Sequence, residues 1–520
     1  MSGSGICDVR AAVLSICAAA IFSAGFGALP QSFIDSTDAI IDTLRKGDCI
    51  LTINGGSQPA AGRVIIVEQL RNHFGFGASI GKKWFTETDS ANYGDAFRRY
   101  FEWATPENEM KWNVNEELDD WQDYDAADWL INWCDLHNIE VRGHNLFWNE
   151  HDGWIPDWTK ELDQESFKAA MKRRIDSAME HFRGRVAHWD LINEIVHGPE
   201  GNVVRPGMLA TMSGDTNVFS WIFKEARAID SNVVMAVNEY NVVEQTSAAK
   251  EYINEIKDIE LDGGRIDMVG LEGHFSTYVE RSSYLDRIDT MAGAITQPIW
   301  LTEVDFEIDT LLRADKMEEL MRTCFAHPRV GGLVLWVWWE GNRWRPYTSF
   351  LVDSNYTENE LGARWRTVRS GWRSATSGNV GNDATFSFRG FYGQYRVKVY
   401  MDDVVYSDTI DFAPGLTKDP VAVTVNLDSP VDAKTGRIAA ARPIKMRLDG
   451  AQIDLAVLPC EMDRLHLSTY SLGGRLLDRR PLMIRDGRVT TVAPLPAGCN
   501  VVRICAGNRT LHTARSVNLR

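Results

Sequence analysis

The chain has 520 residues, 44% of them hydrophobic, and a formal net charge of -17 at pH 7. Its length calls for two or three domains, and its acidity, unrelieved by any basic stripe, excludes a polyanionic partner such as nucleic acid. All 18 tryptophans fall between Trp84 and Trp372; their default role is core packing, and their flat amphipathic rings also suit the face of a sugar.

Residues 1–28 read as a secretory signal peptide. Ala11 to Leu29 carries no charge, Arg10 precedes it, and small residues near Ala28 offer a cleavage site. The expected location is secreted or cell-surface, without stable membrane insertion, because no later stretch is long enough to span a bilayer. Cys7 and Cys17 leave with that segment, and Cys49, Cys134, Cys324, Cys460, Cys499 and Cys505 remain. Export permits disulfides, but the sequence selects no pairing. No Cys/His cluster has zinc spacing, so neither a metal nor a cofactor is expected.

Residues 46–70 read as two strands around a Gly/Pro turn, a β hairpin. Eight apolar runs follow: "FGFGASI", "YFEWATPE", "IEVRGHNLFW", "VAHWDLINE", "VVMAVNEY", "IDMVGLEGHF", "PIWLTEVDF" and "GGLVLWVWW". Enough chain separates them for a crossover helix each, and continuous apolar strands suit a buried parallel sheet. Between two of them Phe167, Met171, Ile175, Met179 and Phe182 share one helical face. The fold class is therefore α/β: a (β/α)8 TIM barrel over 36–375, with the 46–70 hairpin at its side. Residues 376–426 are expected to add accessory strands that pack with 46–70 as a small β layer. Residues 427–520, turn-rich and β-patterned, read as a C-terminal all-β, sandwich-like domain.

In such a barrel the chemistry sits at the C-terminal strand ends, which here present Glu107, His144, Glu194, Glu239, His274 and Glu303. Taken singly these are ordinary: a salt-bridged glutamate or a satisfied core histidine. Glu194 and Glu303, on the fourth and seventh strands, would however face each other across the mouth. Glycoside hydrolysis needs such a pair, one carboxyl to protonate the leaving oxygen and one to attack the anomeric carbon, about 5–5.5 Å apart for retention. An acid useful near pH 6 needs its pKa raised roughly 2 units, or about 2.7 kcal/mol. A second carboxylate about 5.5 Å away, at an effective dielectric near 20, supplies about 3 kcal/mol, so one charged neighbour is expected to suffice without deep burial.

The stretches "TPENEMKW", "RGHNLFW", "WDLINE", "NEYN", "GLEGHF" and "WLTEVDF" occur in this order. Together, over about residues 70–373, they resemble the β-1,4-xylanases of glycoside hydrolase family 10. The resemblance implies xylan as substrate, Glu194 as general acid/base and Glu303 as nucleophile. It implies that His274 links Glu303 to Asp305, and that Asn193 bonds the 2-hydroxyl at the cleavage site. Glu107, Asn108 and Lys111 would bind glycone hydroxyls, with His144 and Trp148 at the next sugar. Tyr240 and Asn241 would face the leaving side, and Trp336 and Trp344 would enclose the site. Trp338 and Trp339 are left to packing.

Two departures stand out. Glu272 replaces the family's common glutamine, which can donate to the nucleophile; a glutamate donates only when protonated, so Glu272→Gln is expected to keep activity and shift the acid limb of the pH profile. "NEHDGW" follows "RGHNLFW" where a His-Ser pair is usual, which is closer to a plant-like branch. "LSTYSLGGRLL" and "LPAGCNVVRI" with the terminal "TARSVNL" resemble sorting modules of type IX secretion substrates, which would make secretion machinery a partner. The rival readings are a barrel glycosidase on another β-linked glucan and a catalytically inactive polysaccharide-binding protein.

Overall fold

A computed structural model describes residues 29–427 apart from 57–58, 88–89, 151, 198–206, 276–278, 309, 346–347, 403, 416 and 418; beyond 427 it describes the backbone of separate strands. The expected signal peptide lies outside the described residues. Strands β1 (Lys46–Gly55) and β2 (Val64–Asn72) precede the barrel. The barrel strands are β3 (Gly75–Ile80), β4 (Trp103–Pro106), β5 (Glu140–Trp148), β6 (His188–Asn193), β7 (Val234–Glu239) and β8 (Met268–Leu271). After the short β9 (His274–Phe275) come β10 (Ile299–Phe306) and β11 (Val330–Leu335). Each barrel strand pairs in parallel with the next, and β11 returns to β3, closing the expected eight-stranded barrel.

Local chemistry explains the elements. β3, β4, β6, β8 and β10 are buried along their whole length, as their unbroken apolar runs require. The helix Gln164–His181 begins where the Asp163 side chain accepts the Ser166 amide, and it buries Phe167, Met171, Ile175 and Met179. At the N-terminal end of the barrel Trp300 packs against Trp103 and His188, with ring centroids 4.9 and 4.7 Å apart. Its ring fits because the strands beside it carry glycine: a Cβ on Gly75 or Gly332 would lie 2.1 or 2.3 Å from it.

Residues 46–70 and 376–426 do come together, but 46–70 is not a hairpin. After β12 (Ala375–Asn379) come β13 (Thr385–Phe391), β14 (Gly393–Met401), β15 (Val404–Phe412), β16 (Val421–Leu427) and β17 (Pro430–Val431). β1 lies between β13 and β16, and β2 between β12 and β14, in two different sheets of three and five strands. The expected single layer is thus a two-sheet sandwich around Leu51, Ile53, Ile65, Val67, Val397, Val399 and Val425. The physical reason lies in the alternation. β1 and β2 each bury one face, and in opposed sheets the two faces cover each other, which a hairpin within one sheet cannot do.

Beyond residue 431 the described strands form two four-stranded sheets. Cys49, Cys134 and Cys324 are buried and free, whereas Cys460 and Cys499 lie outside the described residues. No described helix is long and apolar enough to cross a membrane.

Candidate active site

β6 delivers Asn193 and Glu194 to the open rim. The chain leaves the strand in the left-handed region, with φ +55° at Glu194. The Glu194 amide donates to the Asn238 carbonyl of β7 at 2.9 Å, and its carboxyl accepts from Trp148 Nε1, at the end of β5, at 2.7 Å. Only 8% of the residue is exposed. Burial pushes its pKa well above the usual carboxylate range, with Glu150, Glu239 and Glu303 adding repulsion against the lowering effect of the Trp148 hydrogen bond. The residue holds its proton where an ordinary glutamate is ionised. Here the expectation of a charge effect without deep burial fails: desolvation leads, Glu150 outranks Glu303, and the enclosing packing is the reason.

β10 delivers Glu303 and Asp305, two residues apart and so on one face of the strand. His274 lies between them, Nε2 at 3.3 Å from Glu303 Oε2 and Nδ1 at 3.2 Å from Asp305 Oδ2. Burial would lower the His274 pKa, but Asp305 and then Glu303 outweigh it and raise it to about 10. At neutral pH the ring is therefore an imidazolium, its Nε2 donating to Glu303 Oε2 and its Nδ1 in an ion pair with Asp305. Trp344 Nε1 donates a further bond to Asp305 Oδ2 at 2.7 Å.

Glu272 stands beside this chain, with Oε2 at 3.9 Å from His274 Nε2 and 1% of the residue exposed. Burial, then Glu303 and Glu194, push its pKa well above the usual range. Burial thus favours the protonated form of Glu272, the form in which a glutamate is able to donate. That direction moves its ionisation to higher pH than that of an ordinary glutamate, away from the acid limb. Glu272, His274 and Glu303 offer ligand atoms within 4.8 Å of one another.

The remaining predicted residues surround these carboxyls. The Glu107 carboxylate accepts from Asn342 Nδ2 at 2.7 Å. Lys111 Nζ donates to Asn108 Oδ1 at 3.0 Å and lies 4.6 and 5.3 Å from the ring centroids of Trp148 and Trp154. Burial lowers the Lys111 pKa, against the pull of Glu107, Glu303 and Glu194. His144 Nδ1 donates to Asp190 Oδ2 at 3.0 Å, and Arg142 Nη2 to the other oxygen at 2.6 Å. The same His144 nitrogen lies 3.9 Å from Glu303 Oε1. Asn193 Oδ1 accepts from Asn238 Nδ2 at 3.1 Å. Tyr240 and Asn241 follow β7 directly, Asn241 with φ +59°. Trp336 packs 5.2 Å from His144, and Trp344, 49% exposed, 5.0 Å from His274. Trp338 and Trp339 are buried in the core.

Several residues escaped the sequence reading. Trp154 stacks on Trp148 with centroids 4.1 Å apart and planes 4° from parallel. Asn342 and Glu150 also belong here, as does His197, whose Nδ1 lies 2.6 Å from Oε1 of Glu239, a residue read only as a strand-end carboxylate. Glu150 and Trp154 stand in the departing "NEHDGW" stretch, the one signal that could have pointed to them.

A family model described as "Glycosyl hydrolase family 10" matches residues 66–366. Anti-sigma-I factor RsgI6 of Acetivibrio thermocellus is 34% identical over 369 residues, 71% of this chain and 46% of that protein. Endo-1,4-beta-xylanase 1 of Arabidopsis thaliana is 31% identical over 370 residues, 69% of this chain and 37% of its own. The chain thus spans less than half the length of these two curated relatives. Xylanase 10B from Thermotoga petrophila RKU-1, solved in complex with xylobiose, superposes with a TM-score of 0.52 at 22% identity, over 57% of this chain and 94% of that one. That likeness speaks to the fold.

Proposed function

The chain belongs to glycosyl hydrolase family 10, and from that premise we propose that it is a retaining endo-1,4-β-xylanase hydrolysing internal β-1,4-xylosidic bonds of xylan. The observation that carries this reading is the division of labour between two rim carboxyls: Glu194, buried and proton-holding, and Glu303, bonded to the His274 imidazolium.

In the first step a Glu303 oxygen attacks the anomeric carbon while the glycosidic C–O bond breaks, its electron pair passing to the leaving oxygen as that oxygen takes the proton of Glu194. The resulting ester carries no charge, so Glu194 loses one source of repulsion and acts as base. It then takes a proton from water, whose oxygen bonds the anomeric carbon as the ester C–O bond breaks and Glu303 regains its pair. Glu107, Asn108, Lys111, His144 and Trp148 bind one side of the chain, Asn193 the sugar at the bond, and Tyr240 and Asn241 the leaving side. Glu272 donates to the nucleophile, Asp305 holds His274, and Trp336 and Trp344 enclose the sugar. No step calls on a cofactor. In the same reading residues 1–28 direct export and residues 427–520 serve sorting or surface attachment, supported by the two sequence resemblances.

The test is to incubate the full chain with xylan, cellulose and mannan and follow products by proton NMR. Xylo-oligosaccharides appearing first as the β anomer are expected. The α anomer would overturn double displacement, and faster attack on cellulose or mannan would move the substrate to another glycan. Binding to xylan with no new reducing ends would leave a polysaccharide-binding protein.

A further inference from the structure

Glu239 is fully buried at the end of β7, where no substrate reaches it. Its carboxylate accepts from the amides of Val196 at 2.6 Å, His197 at 3.3 Å and Tyr240 at 2.9 Å, and from the His197 ring at 2.6 Å. Three of these four donors belong to the turn that carries Glu194 out of β6. Glu194 sits there at φ +55°, a conformation unfavourable for a long L side chain that persists only where the surroundings enforce it.

β6 cannot enforce it, having ended at Asn193; β7 does. The Glu194 amide is held by the Asn238 carbonyl, the Asn193 side chain by Asn238 Nδ2, and the next two amides by Glu239. Remove the Glu239 carboxylate and two buried N–H groups lose their acceptor, which favours relaxation of the turn and displacement of the Glu194 side chain from the cleft.

We propose that Glu239, braced by His197, is a positioning residue that fixes the turn 194–197 so that Glu194 meets the glycosidic oxygen. The inference rests on the proposed function and deepens it. In the glycosylation step, which sets kcat/KM, misplacing the acid matters only where the leaving group needs a proton, so the effect on kcat/KM must depend on the leaving group.

The experiment compares wild type, E194A, E239A, E239Q and H197A on xylan and on dinitrophenyl β-xylobioside, whose phenolate leaves without protonation, with circular dichroism recorded for each. For E239A, kcat/KM on xylan is expected to fall about 100-fold, while on the activated glycoside it stays within about threefold, as with E194A. On that glycoside kcat and KM should fall together, because a misplaced Glu194 is also a poor base and the glycosyl-enzyme accumulates. E239Q, which keeps an acceptor oxygen, and H197A should show the same selectivity at smaller amplitude.

Equal losses on both substrates, or unchanged turnover of xylan by E239A, would overturn the proposal. If E239A does not fold, the ratio of losses in E239Q and H197A decides it, a ratio near one counting against. Wild type inert on both substrates would remove the glycosidase reading and this inference with it; active wild type with equal losses removes the inference alone.

Discussion

Glu194 and Glu272 keep protons that exposed glutamates would release, and burial leads in both. Glu150 is the strongest charged neighbour raising Glu194. Glu150→Gln should therefore lower the Glu194 pKa and move the alkaline limb of the kcat/KM profile to lower pH; a limb that stays put or moves up would count against the assignment. Glu272→Gln keeps a neutral donor beside Glu303 and should retain activity while extending the profile on the alkaline side. Its effect on stability has a definite sign. The folded pKa of Glu272 lies above the unfolded value of 4.5, so its contribution is present below that value and is lost as pH rises through the folded pKa. The Gln variant should thus melt above wild type at pH 8 and show no such gain at pH 4. That Glu194, Glu303 and His274 meet at one rim was legible because each stands in a short motif at a strand end. The dominance of desolvation was not, because how deeply a rim carboxyl is buried depends on loops from other strands closing over it.

At the level of elements, strands were legible wherever an apolar run had to be buried on both sides. The pairing of β1 and β2 was not. Alternation states which face of a strand is buried and leaves open which neighbour it bonds, so a turn-linked pair looked like a hairpin when the two strands stand in opposed sheets. Glycines inside β3 and β11 carry a meaning that only packing reveals. Gly332→Ala would place a methyl 2.3 Å from the wedged Trp300 ring and should destabilise by about 1–3 kcal/mol in urea unfolding. Gly293→Ala is the control, in the helix Arg281–Ala294 with nothing within 4 Å of the new methyl, and should be neutral or stabilising by up to about 1 kcal/mol. Equal stability of the two variants would contradict the packing account.

For the molecule as a whole, the barrel is an excursion between two strands of the sandwich, β2 before it and β12 after it. A chain ended after residue 375 would lack β13 to β16 and leave Leu51, Ile53, Ile65 and Val67 without cover. It should aggregate, whereas a chain ended after 431 should elute as a folded species with the full-length rate on xylan; size-exclusion chromatography and a reducing-end assay check both. The confinement of the tryptophans to 84–372 marked out the segment that folds as the barrel, because it is read directly from residue positions. That 376–426 packs with 46–70 was legible from their shared alternation, whereas the parallel pairing of β16 with β1 that closes the sandwich was not, since it joins positions nearly the whole described chain apart.

That closure bears on how the protein is made. Both neighbours of β1, β13 and β16, are synthesised after the last barrel strand. At about 5–20 residues per second, the first sandwich strand waits on the order of tens of seconds with both edges open while the barrel condenses behind it. During that interval the nascent chain offers a sticky ribbon to any other unfinished copy, so its yield in a crowded cell should depend on a chaperone that shields the leading segment until the tail arrives.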